Sequence, residues 1–231
     1  MKIIAEIGSN HCGDFETGKE LIDELKDLGV THIKMQLWKA DDLYKGTDIY
    51  ETAKRLELSY ELAEKFFNYS KSIGVELFFS VFYVDAVYFC ERIGVKYYKI
   101  AARSINDTEL IDKIFDTGKP VFVSFSQKYG DPINDYNRYS SKFVDMYPLY
   151  TISEYPAKLK DFRPGILKFM CEHRGGYSNH CLEYTTAFYN LVYGGDWLEV
   201  HVMLDNQDDS PDKVCSWTIS KLKSFLEDIK C

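Results

Sequence analysis

Eight short apolar or β-branched runs, separated by longer stretches whose apolar residues recur at helical spacing, leave few folds open to this chain. The runs fall at residues 2–7, 32–37, 76–81, 97–101, 121–124, 149–153, 176–178 and 197–203, the seventh being the shortest. Between the first two, residues 17–28 place Leu21, Ile22, Leu25 and Leu28 on one helical face, and Gly29 follows as the exit. Ser59 opens a later helix as N-cap and Gly74 closes it before the third run. Residues 107–115 repeat the design ahead of Gly118 and Pro120, Gly94 and Gly195 take the same exit place, and residues 220–229 form the last helix. Strand and helix alternating eight times predict an α/β fold, a parallel sheet closed into a (β/α)8 TIM barrel.

The length suits one such barrel, and with no linker or low-complexity segment the whole of 1–231 reads as a single domain. The one long excursion, residues 38–58 after the second run, is placed to build part of the rim where barrels keep their sites. A net charge of −8 without a basic patch argues against nucleic acid as a partner. No run of about eighteen apolar residues is present to span a membrane, and the apolar stretch 3–7 is followed by no cleavage-like site, so a cytoplasmic protein is expected. The six cysteines, Cys12, Cys90, Cys171, Cys181, Cys215 and Cys231, have no CxxC spacing and read as free thiols.

Polar residues gather where the runs end. The first ends in Glu6 and continues through Gly8, Ser9, Asn10, His11 and Gly13; the second carries Lys34 and Gln36; the fourth carries Lys99. The fifth ends in Ser124, and the sixth runs into Ser153, Glu154 and Tyr155. A lysine inside an apolar strand needs an anionic partner to offset its desolvation, and two of them suggest a phosphate or carboxylate ligand. Taken alone, Lys34 reads equally as half of a buried structural ion pair with Glu6.

His180 follows the seventh run and His201 lies inside the eighth, so neighbouring strands bring the two imidazoles together. A lone histidine on an apolar strand is most often a satisfied core residue. As a pair, with an oxygen from Glu6 or Asp212, they suit a divalent transition ion such as Mn²⁺, Fe²⁺, Co²⁺ or Zn²⁺.

These residues lie in blocks, and the blocks resemble the barrel domain of the sialic acid synthase (N-acetylneuraminate synthase) family, whose members also make legionaminic and pseudaminic acids. The resemblance runs through Ala5-Glu6-Ile7-Gly8-Ser9-Asn10-His11-Cys12-Gly13-Asp14, Ile33-Lys34-Met35-Gln36, Glu57-Leu58-Ser59 and Phe79-Ser80-Val81-Phe82. It continues through Tyr98-Lys99-Ile100-Ala101, Gly118-Lys119-Pro120-Val121, Tyr155-Pro156 and Gly176-Tyr177-Ser178-Asn179-His180. Glu199-Val200-His201 and Pro211-Asp212-Lys213-Val214-Cys215-Ser216 complete it, in family order from residue 4 to about residue 217.

The resemblance implies a condensation of phosphoenolpyruvate with the open-chain aldehyde of an N-acyl hexosamine such as N-acetylmannosamine, giving a 2-keto-3-deoxy acid and phosphate. By that resemblance Lys34, Lys99 and Ser124 match positions that meet phosphoenolpyruvate, and Glu6 matches an acid/base carboxylate. His180 and His201 match metal ligands, with Mn²⁺ the expected ion, and Asp212 matches a site carboxylate. Asn10, Gln36, Ser153 and Tyr155 fall to substrate binding, and a homodimer is implied. His11 is expected to support the site without ligating, and Cys12 and Cys181 each adjoin a site-region histidine.

The departures are as informative. Where the family continues Lys-Ile-Ala-Ser-Gly-Glu, this chain has Lys99-Ile100-Ala101-Ala102-Arg103-Ser104, so a phosphate-binding serine is Ala102 and an acidic residue is Ser104. Arg103 reads equally as a replacement for the lost phosphate contact and as an outward, solvated charge. Ser153 stands where an asparagine is usual, and Asn179 where an aspartate is usual. The family's C-terminal antifreeze-like domain lends an arginine to the partner's sugar site, and a chain ending at Cys231 is expected to lack that contact. Two further readings stay open: another sugar or aldol-type reaction in the same pocket, and a non-catalytic sugar-phosphate binder.

Overall fold

The structure, a computed structural model, describes residues 1–143 and 145–230, so of the six cysteines Cys231 lies outside the described residues. The other five are free thiols. In chain order the elements begin with β1 (Lys2–Glu6), α1 (Phe15–Asp27), β2 (His32–Leu37), α2 (Ala40–Leu43), α3 (Tyr50–Leu56), α4 (Tyr60–Ser72) and β3 (Glu76–Val81). They continue as α5 (Val84–Ile93), β4 (Tyr98–Ile100), α6 (Thr108–Phe115), β5 (Val121–Phe125), α7 (Pro132–Ser140), β6 (Met146–Thr151) and α8 (Pro164–Glu172). The last are β7 (Gly176–Asn179), α9 (Thr185–Val192), β8 (Trp197–Met203), β9 (Trp217–Thr218) and α10 (Ile219–Asp228).

Each strand from β1 to β8 runs parallel to the next, and β1 pairs back onto β8 from Lys2↔Trp197 to Glu6↔His201, closing a (β/α)8 TIM barrel. Helices cover the outside, so strands such as β5 are buried on both faces and read as continuous apolar runs. Helix starts follow local capping: Asp14, Ser59 and Asp107 each accept a backbone N–H from the first turn, at 2.8, 3.2 and 3.1 Å. No helix among the described residues is long and apolar enough to cross a membrane.

Four details depart from the sequence reading. β6 begins at Met146 and ends at Thr151, earlier than 149–153, because Pro148 sits within the paired strand despite its missing donor, opposite Val123. β4 is trimmed to three residues, its flanks passing into turns. The glycine that leaves α9 in the left-handed region is Gly194, φ 72°, not Gly195. Gly195 instead backs onto Asn190, whose Oδ1 would stand 2.2 Å from an added Cβ. Finally, β9 adds a two-residue strand to β8, pairing Val202 with Trp217.

Inside the barrel, alternation along the strands separates an apolar floor from a polar chamber. Ile4, Phe78, Phe122, Leu149 and Trp197 form the floor at the amino-terminal end, with Phe122 edge-on to Trp197 at 4.8 Å. Each such side chain removed from water contributes about 2–3 kcal/mol. Two residues further along their strands stand Glu6, Ser80, Ser124, Thr151 and Glu199, all facing the chamber. The excursion folds as α2 and α3 over a small cluster of Trp38, Ala40 and Ala53, and brings Leu43 and Tyr44 to the chamber mouth.

Candidate active site

The chamber encloses about 230 Å³ at the carboxyl-terminal ends of the strands. Its floor is charged. Lys34 Nζ contacts Glu6 Oε2, donates to Ser80 Oγ at 2.7 Å, and lies 3.7 Å from Glu199 Oε2. Lys99 Nζ lies 3.6 Å from Glu199 Oε1, the oxygen that also accepts from Ser178 Oγ at 2.7 Å. Glu6 in turn accepts the Gly8 N–H at 2.6 Å. The four charged side chains are almost wholly buried. Burial pushes the Lys34 ammonium down to about 7 against the opposing attraction of Glu199, and burial lowers Lys99 as well. Burial would raise Glu199, but the two ammonium groups and the Ser178 hydroxyl outweigh it and hold the carboxyl below its ordinary range. Two cations against two carboxylates leave this floor electrically balanced.

Imidazoles occupy the opposite wall. His180, just beyond β7, has Nδ1 2.7 Å from the Ile152 carbonyl oxygen, which assigns the proton to Nδ1 and leaves the Nε2 lone pair free. Burial, reinforced by neighbouring His201, pushes it down to about 3, so the ring is neutral. His201 Nδ1 is buried without a hydrogen-bond partner among the described residues, 3.6 Å from Asp212 Oδ2. The two rings are 5.4 Å apart, and the Tyr155 ring lies 4.2 Å from that of His180. Asp212 is fixed by the Ser9 N–H at 3.0 Å. Gly8 makes that approach possible: its φ is +55°, and an added Cβ would come within 2.4 Å of Asp212 Oδ2. A neutral His180 and a His201 whose Nδ1 is orphaned beside a carboxylate have donor chemistry that fits a divalent transition ion. Among the described residues no three His, Cys, Asp or Glu side chains are drawn together at metal-ligand spacing, so solvent or substrate oxygen would complete such a set.

Of the residues singled out by sequence, Glu6, Lys34, Gln36, Lys99, Arg103, Ser124, Ser153, Tyr155, His180, His201 and Asp212 all line the chamber. Asn10, expected to contact substrate, is not among the lining residues. Its Nδ2 donates to Val202 O at 2.7 Å and Ser216 Oγ at 2.9 Å, and its Oδ1 accepts from Ser210 Oγ and the Asp212 N–H. It clamps the loop that carries Asp212. His11 is also occupied: its buried Nδ1 accepts the Gly13 N–H at 2.9 Å, and burial pushes its pKa down to about 4. Glu154 points outward and pairs with Lys128 at 3.0 Å. The sequence reading gave no site role to Glu199, Ser80, Thr151 or Ser178, all of which line the chamber. The signal was available, since Glu199 sits two residues before His201 on one strand and shares its face.

Compared with known proteins, residues 21–231 match the family model described as the NeuB family. The chain is 30% identical over 234 residues to an uncharacterized protein of Methanocaldococcus jannaschii, a match covering 99% of this chain and 69% of that protein. It is 26% identical to the pseudaminic acid synthase of Helicobacter pylori, covering 99% of this chain and 73% of that enzyme. Among solved structures, the N-acetylneuraminic acid synthetase of Leptospira borgpetersenii, crystallised with citrate, shares the fold with a TM-score of 0.90 at 22% identity, covering 99% of this chain and 82% of that one.

Proposed function

This chain belongs to the NeuB family, and from that premise we propose that it is a sugar-acid synthase that joins phosphoenolpyruvate to the open-chain aldehyde of an N-acyl hexosamine. In this reaction C3 of phosphoenolpyruvate bonds to the aldehyde carbon, and the aldehyde oxygen takes up a proton to become a hydroxyl. Water adds at C2, the bond from C2 to the phosphate oxygen breaks, and a 2-keto-3-deoxy acid and inorganic phosphate leave.

The observation that carries this reading is the joining, in one chamber, of a buried Lys34/Lys99 floor with the His180/His201 imidazole pair beside Asp212. The lysines and Ser124 are assigned to phosphoenolpyruvate, whose charge they meet with buried donors worth more than exposed ones. Glu6, in contact with Lys34, is assigned to proton transfer, because an ammonium at its side steadies its ionised form. Gln36, Ser153 and Tyr155 are assigned to orienting the acceptor. His180 and His201, with Asp212, are assigned to holding a divalent ion, Mn²⁺ by preference. Such an ion, when bound, supplies Lewis acidity toward the aldehyde carbonyl.

The test is phosphate release from phosphoenolpyruvate with Mn²⁺, comparing N-acetylmannosamine, diacetamido-dideoxy hexoses and shorter aldehydes. Release that requires one of these acceptors and stops with EDTA supports the reading. A second reading, a different aldol-type reaction in the same pocket, is favoured by Ala102, which lines the chamber but offers it no hydroxyl. Release with none of the acceptors, from protein that binds phosphoenolpyruvate, would favour that second reading.

A further inference from the structure

We propose that Arg103 is a phosphate receptor at the chamber mouth; the source of the phosphate rests on the synthase reading above, the receptor itself does not. Three cations and three carboxylates line the chamber, and both lysines are already committed to Glu6 and Glu199. A phosphate dianion entering this chamber therefore shares both lysines with two carboxylates, and gains most from a cation that has no carboxylate of its own.

Arg103 is the exception. It stands exposed on the single 3-10 turn that follows β4, and among the described residues no carboxylate lies within ion-pair distance of it. Lys128, whose own ammonium is held by Glu154, lies within its electrostatic reach, as does the Tyr44 hydroxyl from the excursion. A guanidinium left without an anion beside an enclosed chamber is a forked donor waiting for a planar or tetrahedral oxyanion.

A second, independent feature points the same way. Ser124 Oγ is buried, 2% exposed, and has no hydrogen-bond partner. Buried hydroxyls without partners are uncommon because each forfeits its hydration. The β4–β5 register pairs Ile100 with Val123, which sets Ser124 level with Ala101, two residues before Arg103 on the adjacent strand. A buried hydroxyl and an exposed guanidinium thus both line the chamber at the ends of neighbouring strands, and the proposal has them donate to one group. Phosphate oxygens fit them, and the phosphate can be that of phosphoenolpyruvate or an ester on the acceptor sugar.

Calorimetric titration of the full chain separates these sources. The ligands are inorganic phosphate, phosphoenolpyruvate, and N-acetylmannosamine with and without a 6-phosphate; the proteins are wild type, Arg103→Ala, Arg103→Lys and Ser124→Ala. Arg103→Ala is expected to weaken inorganic phosphate roughly tenfold or more, with partial recovery in Arg103→Lys because an ammonium restores charge but not the fork. Parallel loss for phosphoenolpyruvate assigns the receptor to that substrate. Loss only of the preference for the phosphorylated sugar assigns it to the acceptor. Arg103 is exposed, so an unchanged melting temperature should accompany either result. Affinities for all the phosphate ligands within twofold of wild type in Arg103→Ala, or no phosphate binding by wild type, would overturn the proposal. Wild type that binds inorganic phosphate through Arg103 but never phosphoenolpyruvate would remove the synthase reading and leave the receptor standing.

Discussion

Lys99 on β4 reaches across the barrel to Glu199 on β8, with Nζ 3.6 Å from Oε1. Glu199 also faces Lys34, so one carboxylate compensates two ammonium groups. Glu199→Gln keeps the shape and the Ser178 contact but leaves two buried cations with one countercharge. It should cost about 3–5 kcal/mol, the usual penalty for breaking a buried pair, measured by urea unfolding. Adding Lys99→Met should return part of that loss, because the uncompensated charge is removed. A Glu199→Gln protein as stable as wild type would mean that the floor is not held by this pairing.

Asn10 divides a clamp from a substrate contact. Asn10→Ala strands the Ser210 hydroxyl and the Asp212 N–H, and each orphaned buried group costs about 1–3 kcal/mol. The variant should unfold at lower urea and bind metal more weakly through its loosened Asp212 loop, while phosphoenolpyruvate affinity stays the same. Unchanged stability with a raised KM for either substrate would restore the substrate-contact reading.

His180→Ala and His201→Ala should each abolish Mn²⁺ binding, read by metal content after dialysis, while the protein still unfolds in one cooperative step. Gly8→Ala should weaken the same binding with both imidazoles still present, since its Cβ would displace Asp212 and reach His201 Nδ1 at 3.5 Å. Full metal content in either histidine variant would contradict the assignment of the imidazole pair.

His11 makes stability depend on pH. Its folded pKa of about 4 lies below the ordinary 6.5, so the folded state resists a proton that the unfolded chain accepts. Above pH 6.5 both states are neutral there and His11 exerts no pH effect. Below that, stability falls as pH drops toward 4, by up to about 3 kcal/mol for this group. The cause is burial, which penalises the charged ring, and a protonated Nδ1 would in addition be unable to accept the Gly13 N–H. His11→Asn should show a shallower acid-side slope in urea midpoint against pH. An identical slope would show that another group controls it.

The barrel was legible because strand and helix periods alternate cleanly, and the chamber because polar residues break apolar runs at their ends, as Lys34 and Lys99 do. What escaped detection had local signals that mislead. Pro148 hid the start of β6, since proline ordinarily marks a strand's limit, and Gly195 looks like a helix exit until packing against Asn190 shows why it is small. Asn10 sits among site residues along the chain, yet its side chain turns toward Ser210 and Ser216, roughly two hundred positions away, as only the closed barrel reveals. Glu199 stood within a recognised block but needed the two-residue period of a strand whose inward face was already known from His201. Arg103 could be marked as a departure in sequence; that it lacks an anionic partner among the described residues is a fact of three dimensions.

The central claim is a coupled condensation, and product stoichiometry tests it most directly. Incubated with phosphoenolpyruvate, Mn²⁺ and the accepted amino sugar, the protein should release one phosphate for each 2-keto-3-deoxy acid identified by mass spectrometry. Neither product should form when the acceptor is left out. Phosphate released without acceptor, or a sugar acid formed without phosphate, would contradict the account.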